Sequence, residues 1–339
     1  MKVGRSIRTR IIIGLFTASL VALSQTPVAA YLKLGIDFNG SVVALQWPPG
    51  PVGYRIFDAA VDRVTTADFQ VAVARAFDTW ENVPTAAITY RFDGLTANPP
   101  GLDDGLTTLG FLPRPDLDRV LASTSFLVDA ETGALLESDI FFNSVFPWSV
   151  APGGEAGRYD LETIALHEIG HLSGLGHSLL GETELLGNGG RRVIAAEAVM
   201  FPIAFSPGSI ADRTLKADDV AGISDIYPSG GFNSETGSVS GRVTRNGQGV
   251  FGAHVTAFHL ASGALVSNFS LNTNGQFSIA GLAPGAHVLR VEPLDDADVE
   301  AFFDSDNVRV DFRVTYLPQL VVVPPGGDSG AVEIRVDPK

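Results

Sequence analysis

Residues 167–178 read HEIGHLSGLGHS, a stretch dense in histidine. It holds three of the chain's 6 histidines; the others, His254, His259 and His287, lie far downstream and share no spacing. His167 and His171 are four apart, so on a helix they project from one face, close enough to hold a single cation. Glu168 lies about 100° further round the helix by its 3.6-residue period. Its carboxylate then sits beside the metal's open position, the place for a general base acting on activated water. His177 would point away from the other two on a continuing helix, so the chain must turn back after Leu172. Gly174 and Gly176 permit that turn, because glycine adopts the left-handed conformation at a helix end at little cost.

Three neutral imidazoles leave the fourth position of a tetrahedral zinc open, which marks a catalytic site rather than a closed structural one. The competing explanation is that ordinary surface or core histidines fall into the pattern by chance. With this composition the five fixed positions of HExxHxxGxxH arise by chance with a probability on the order of 1 in 100,000, far below the usual risk for a short motif.

The segments around the motif supply a sheet and helices. VGYRIF (52–57) and AAITYRF (86–92) read as strands. Between them Phe69, Val73, Phe77 and Trp80 recur at helical spacing and Thr65 with Asp68 forms a capping-box pattern, predicting a helix over 66–80. Strands are expected near 121–128 and 136–143. The histidine-bearing helix begins at Asp160, an N-cap, ahead of Leu161, Ile164 and Leu172. A third helix follows Thr214, with Asp218 and Asp219 in its first turn, where carboxylates suit the helix dipole. This pattern is α+β.

After SGGFNSETG (229–237) the character changes. GSVSGRVT, AHVTAF, GQFSIAG and AHVLRVEPL are short strands broken by Asn246-Gly247, Asn274-Gly275 and Pro284-Gly285, which predicts an all-β sandwich over 237–339 behind a linker at 229–236.

The N-terminus carries Lys2, Arg5, Arg8 and Arg10, then the apolar run IIIGLFTASLVAL (11–23) and PVAA. Residues 1–30 therefore read as a secretory signal peptide, and the run falls short of the roughly 20 residues a membrane span needs. The mature chain from Tyr31 is expected to be secreted, extracellular or periplasmic, and without a membrane span. Cys 0 excludes disulfides and cysteine lipidation. Losing four positive charges takes the formal charge from −15 to −19, which argues against nucleic acid as a partner.

The motif resembles the metzincin zinc metalloproteases, whose signature is matched by His167, Glu168, His171, Gly174 and His177. AVMFP then supplies Met200, the mature chain's lone methionine, as the methionine turn those enzymes place beneath the metal. Ser178 after the third histidine, and LKADDVAGISDIYP (215–228), resemble the matrixin subfamily, the matrix metalloproteases. The resemblance implies a catalytic domain over 31–228 with a mixed twisted sheet and three helices, zinc on His167, His171 and His177, and Glu168 as the catalytic base. It implies a monomeric endopeptidase acting on protein or peptide substrates, with an edge strand aligning the substrate. Pro202, Ile203 and Ala204 fall at the wall of the pocket beyond the cut. GSVSGRV with TNGQFSIAGLAPGAH resembles carboxypeptidase regulatory-like domains. The rival is a non-catalytic binding protein or adhesin on a metalloprotease scaffold, against which intact Glu168 speaks.

The departures carry expectations of their own. Animal matrixins hold a second, structural zinc, and Ser123 and Phe141 stand where its histidines would be, so one zinc is expected. Asn143 and Phe146 fall at calcium-ligand positions; Asp103, Asp104 and Asp139 are the candidate calcium ligands that remain. Between Ser178 and Met200 the glycines Gly181, Gly187, Gly189 and Gly190 predict an exposed loop without regular structure. That loop would border the substrate cleft, with Arg191 or Arg192 favouring acidic residues after the cut.

Overall fold

The structure, a computed structural model, describes residues 33–38, 41–187, 191–294 and 308–339, with the backbone of 12–14. The expected signal peptide at 1–30 lies outside these apart from Ile12–Gly14, whose backbone pairs antiparallel with Ser125–Leu127.

The first domain is a twisted sheet covered by helices. Its strands are β1 (Val52–Phe57), β2 (Tyr90–Thr96), β3 (Thr108–Leu112), β4 (Ala122–Val128) and β5 (Leu135–Asn143). Their order is β4-β5-β3-β1-β2, parallel except for the antiparallel pair β4/β5. Helix α1 (Thr66–Glu81) follows β1, capped by the reciprocal Thr65–Asp68 box that the sequence predicts. It buries Phe69, Val73, Phe77 and Trp80, each turned toward the sheet by the 3.6-residue period. Phe69 meets Phe111 of β3 and Phe142 of β5 at centroid distances of 4.9 and 5.2 Å, and Trp148 extends the aromatic cluster. Helix α2 (Leu161–Leu172) starts at Asp160, whose carboxylate accepts the Thr163 N–H at 2.9 Å. Arg213 grips the same carboxylate, so this helix start is fixed from outside as well.

The strand expected at 86–92 begins later. Ladder pairing with β1 starts at Tyr90, while Ala86 bridges Pro228 and the Ala87 N–H donates to Tyr227 O. The alternation of ITYRF is real, but its first residues pair with the end of the closing helix α3 (Ala217–Ile226) instead of with the sheet.

The segment after Ser178 is also not the irregular loop its glycines suggest. Strands β6 (Gly181–Leu185) and β7 (Arg191–Ala196) pair antiparallel as a hairpin, with Leu185 and Ile194 exposed. Gly181 sits in the strand because a Cβ there would overlap the Phe201 ring.

The second domain holds two sheets. One joins β8 (Gly237–Arg245) to β11 (Gln276–Leu282) and to the last strand, β14 (Asp328–Arg335). The other sets β9 (His254–His259) between β10 (Leu265–Phe269) and β12 (Gly285–Glu292), with β13 (Val321–Val323) beyond β12. Val239, Ile279, Val255 and Leu289 fill the space between the two sheets. In the joining segment 229–236, Phe232–Glu235 form a single helical turn with Phe232 buried.

Candidate metal centre

Helix α2 brings His167 and His171 onto one face, and the turn after Leu172 returns His177 to them. Gly174 makes that turn with φ 97°; a Cβ there would strike Leu45 O, so residue 174 must be glycine on two counts. One ligand nitrogen from each histidine lies within 4.8 Å of the other two.

The tautomers follow from the partners. His167 Nδ1 donates to Val199 O and His171 Nδ1 to Leu175 O, each at 2.8 Å. A carbonyl only accepts, so both Nε2 atoms carry lone pairs directed inward. His171 Nε2 lies 3.2 Å from His177 Nε2. Zinc–nitrogen bonds of about 2.0–2.1 Å at a tetrahedral angle put ligand nitrogens about 3.3 Å apart. Burial lowers the pKa of all three rings, His177 to about 3 and His171 well below 6.5, so they stand neutral and ready to ligate. The residues present fit zinc.

Glu168 is 6% exposed, and burial pushes its carboxyl up to about 7. Thr124 Oγ1 on β4 donates to Glu168 Oε2 at 2.5 Å, which opposes that rise. The sequence gives no sign of Thr124; its partnership with Glu168 depends on where β4 passes α2.

Met200 packs against α2, buried at 2% exposure. Gly170 makes that possible, since a Cβ at 170 would overlap the Met200 sulfur and the Trp80 ring. The turn itself is held by Asp219, which accepts the N–H groups of Val199 at 2.8 Å and Met200 at 3.1 Å. Asp218 and Asp219 do stand in the first turn of α3, yet both are buried. Beyond suiting the helix dipole, the two carboxylates accept hydrogen bonds from distant segments. Pro202, Ile203 and Ala204 follow Met200, each half-buried.

Ser123 and Phe141 are cross-strand partners on β4 and β5, so the positions for a second pair of metal ligands are adjacent but lack the chemistry. Asn143 is fully buried; its Nδ2 donates to Arg114 O and Val120 O while its Oδ1 accepts from Arg114 N. This amide ties down the 114–120 loop through both ends. Asp139 is turned to backbone work, accepting from Gly101 N at 2.5 Å and Thr108 N at 2.7 Å. Asp104 accepts from Asn98 Nδ2 and Leu106 N. Asp103 and Asp104 add to the repulsion that, with burial first, pushes Glu137 up to about 7. Among the described residues the three-histidine group is the cluster with metal-ligand geometry. Arg192 pairs with Glu184 and Arg191 donates to Thr183 Oγ1, both across the hairpin.

Residues 46–186 match the family model described as Matrixin, and residues 238–315 match the Carboxypeptidase regulatory-like domain. The Metalloendoproteinase 1-MMP of Arabidopsis thaliana is 29% identical over 198 residues, which cover 56% of this chain and 46% of that protein. This chain thus spans about half the length of that relative. Among solved structures, the Bacillus anthracis TIE protein is similar at 11% identity, with TM-score 0.21, over 31% of this chain and 17% of that one.

Proposed function

We propose, from the premise that this chain joins a matrixin metalloendopeptidase domain to a carboxypeptidase regulatory-like domain, that it is a secreted zinc endopeptidase cutting protein or peptide substrates. The observation that carries the reading is the convergence of three neutral imidazoles, two of them fixed in tautomer by backbone carbonyls, with a buried carboxylate alongside. Zinc bound there would polarise the scissile carbonyl and lower the pKa of a coordinated water toward about 7.

Everything else falls to the chain's own groups. His167, His171 and His177 supply the ligand nitrogens. Glu168 accepts the nucleophile's proton at its carboxylate and returns it to the leaving amine, a role worth about 100- to 10,000-fold. Thr124 holds the carboxylate in one orientation through Oε2, leaving Oε1 for the proton. The outer edge of β4 takes an extended segment in antiparallel register, as the Ile12–Gly14 backbone shows, and a substrate strand would use the same edge. Pro202, Ile203 and Ala204 would border the side chain after the cut. Secretion rests on the basic-then-apolar character of residues 1–23. No described helix is long and apolar enough to cross a membrane. Calcium remains a proposal on Asp103, Asp104 and Asp139, tested by whether added calcium raises the melting temperature.

The decisive experiment incubates the purified mature chain with a diverse peptide library, with and without chelator, and maps the cuts. Chelator-sensitive internal cleavage is expected. A zinc-loaded chain that binds peptides and cuts none would favour the adhesin reading.

A further inference from the structure

The two domains meet at a buried carboxylate hydrogen-bonded to the residue that follows the third histidine. Asp218, 2% exposed at the start of α3, accepts two hydrogen bonds from opposite directions. Ser178, which directly follows His177, donates its hydroxyl to Oδ2 at 2.6 Å. Ser267 of the second domain donates its backbone N–H to Oδ1 at 2.8 Å. Strand β10, which carries Ser267, is the edge of its sheet, so that N–H points away from the ladder and is satisfied by Asp218 alone.

Apolar contacts reinforce the junction. Leu179, next along the chain from Ser178, packs on the second-domain cluster of Phe251, Phe269 and Leu294. Gly281 of β11 lies so close to α3 that a Cβ would overlap Ala221. A tethered module would not bury a carboxylate between itself and the metal segment.

We propose that the β-sandwich domain is a working part of the metal site. Ser267 N–H fixes Asp218, Asp218 fixes Ser178, and the His177 ring is thereby held where it meets His167 and His171. Asp218 is a positioning residue, and the second domain supplies one of its two restraints. Groups that orient first ligands typically change metal affinity 10- to 100-fold when lost.

The inference rests on zinc occupying the three-histidine site, and its test reads zinc directly. In the full mature chain, Ser267→Pro removes the outward N–H while sparing the ladder, since proline is tolerated on an edge strand with its nitrogen facing out. Ser178→Ala removes the other bond, and the double variant combines them. Release of zinc to a chromogenic chelator is followed after mixing, and melting temperatures are taken with and without zinc. Ser267→Pro is expected to speed release roughly 10-fold. The double variant should fall short of the product of the single effects, because both act through one carboxylate. The gap between zinc-loaded and zinc-free melting temperatures should narrow. Release at the wild-type rate would overturn the inference, as would an equal fall in both melting temperatures, which a purely structural junction gives. If Ser267→Pro does not fold, Asp218→Ala, which removes both acceptor oxygens, carries the same expectations. A wild-type chain that holds no zinc would instead remove the functional reading beneath.

Discussion

Replacing Thr124 by Val tests whether Glu168 is the base, without touching Glu168 or a zinc ligand. Valine keeps the shape and the β-branched preference of strand β4 and deletes the hydroxyl that donates to Glu168 Oε2 at 2.5 Å. Burial already drives this carboxyl up to about 7 in the zinc-free site, and the Thr124 bond is the interaction that opposes it. A hydrogen bond to a charged group contributes about 1.5–3 kcal/mol, and one pH unit corresponds to about 1.4 kcal/mol. Losing the donor should therefore raise the carboxyl's titration by about one to two pH units. Zinc's charge lowers the starting point in the loaded enzyme, but the change is added to it. The assay is the pH dependence of kcat/KM for a peptide substrate, whose acid limb reports the base in the free enzyme. The limb is expected to move up by about one to two pH units, with the alkaline plateau much less affected. An acid limb that stays in place in a variant with full zinc would refute the assignment of Glu168, or of Thr124 as its partner.

Other outcomes follow from the same geometry. Glu168→Gln keeps size and ligands but removes the proton acceptor, so cleavage should fall about 100- to 10,000-fold while elemental analysis still finds zinc. That analysis should give about one zinc per chain, because the paired positions Ser123 and Phe141 offer no imidazole. Gly170→Ala should destabilise the fold by about 1–3 kcal/mol through overlap with Met200 and Trp80, less the roughly 1 kcal/mol gained in helix propensity, read by urea denaturation. In the zinc-free protein, a carboxyl raised on folding makes the native state less stable as pH rises through its folded value of about 7. Glu168→Gln should thus be more stable than the wild type at pH 8, and the gap should close as pH falls toward the unfolded carboxylate range.

The sequence reveals the helices and the ligands because both depend on local spacing. Phe69, Val73, Phe77 and Trp80 declare α1, and the four-residue step from His167 to His171 declares one face of α2. What it conceals is long-range. Thr124 meets Glu168 across 44 positions of sequence, and Asp218 meets Ser178 across 40. Nothing in the LASTSF segment distinguishes Thr124 from Ser123 and Ser125 on either side of it. The glycines between Ser178 and Met200 mislead for a different reason: one of them, Gly181, is required by the Phe201 ring packed against a strand, not by a turn. The bonds Asp139 accepts from Gly101 N and Thr108 N are long-range in the same way and leave no mark on the sequence.

The β6/β7 hairpin leaves the site between two closures, Ser178 N to Met200 O at 2.9 Å and Glu197 N to Leu180 O at 2.7 Å. With its ends clamped by these bonds, the length between them is thermodynamically cheap to change, since each doubling of a loop costs only about 0.6 kcal/mol in closure entropy. The hairpin is thus a natural graft point. Binding segments inserted between Leu185 and Arg191 would extend from the stretch that joins His177 to Met200 while its closing bonds stay shut, so an engineer could redirect what this chain engages without reopening its core.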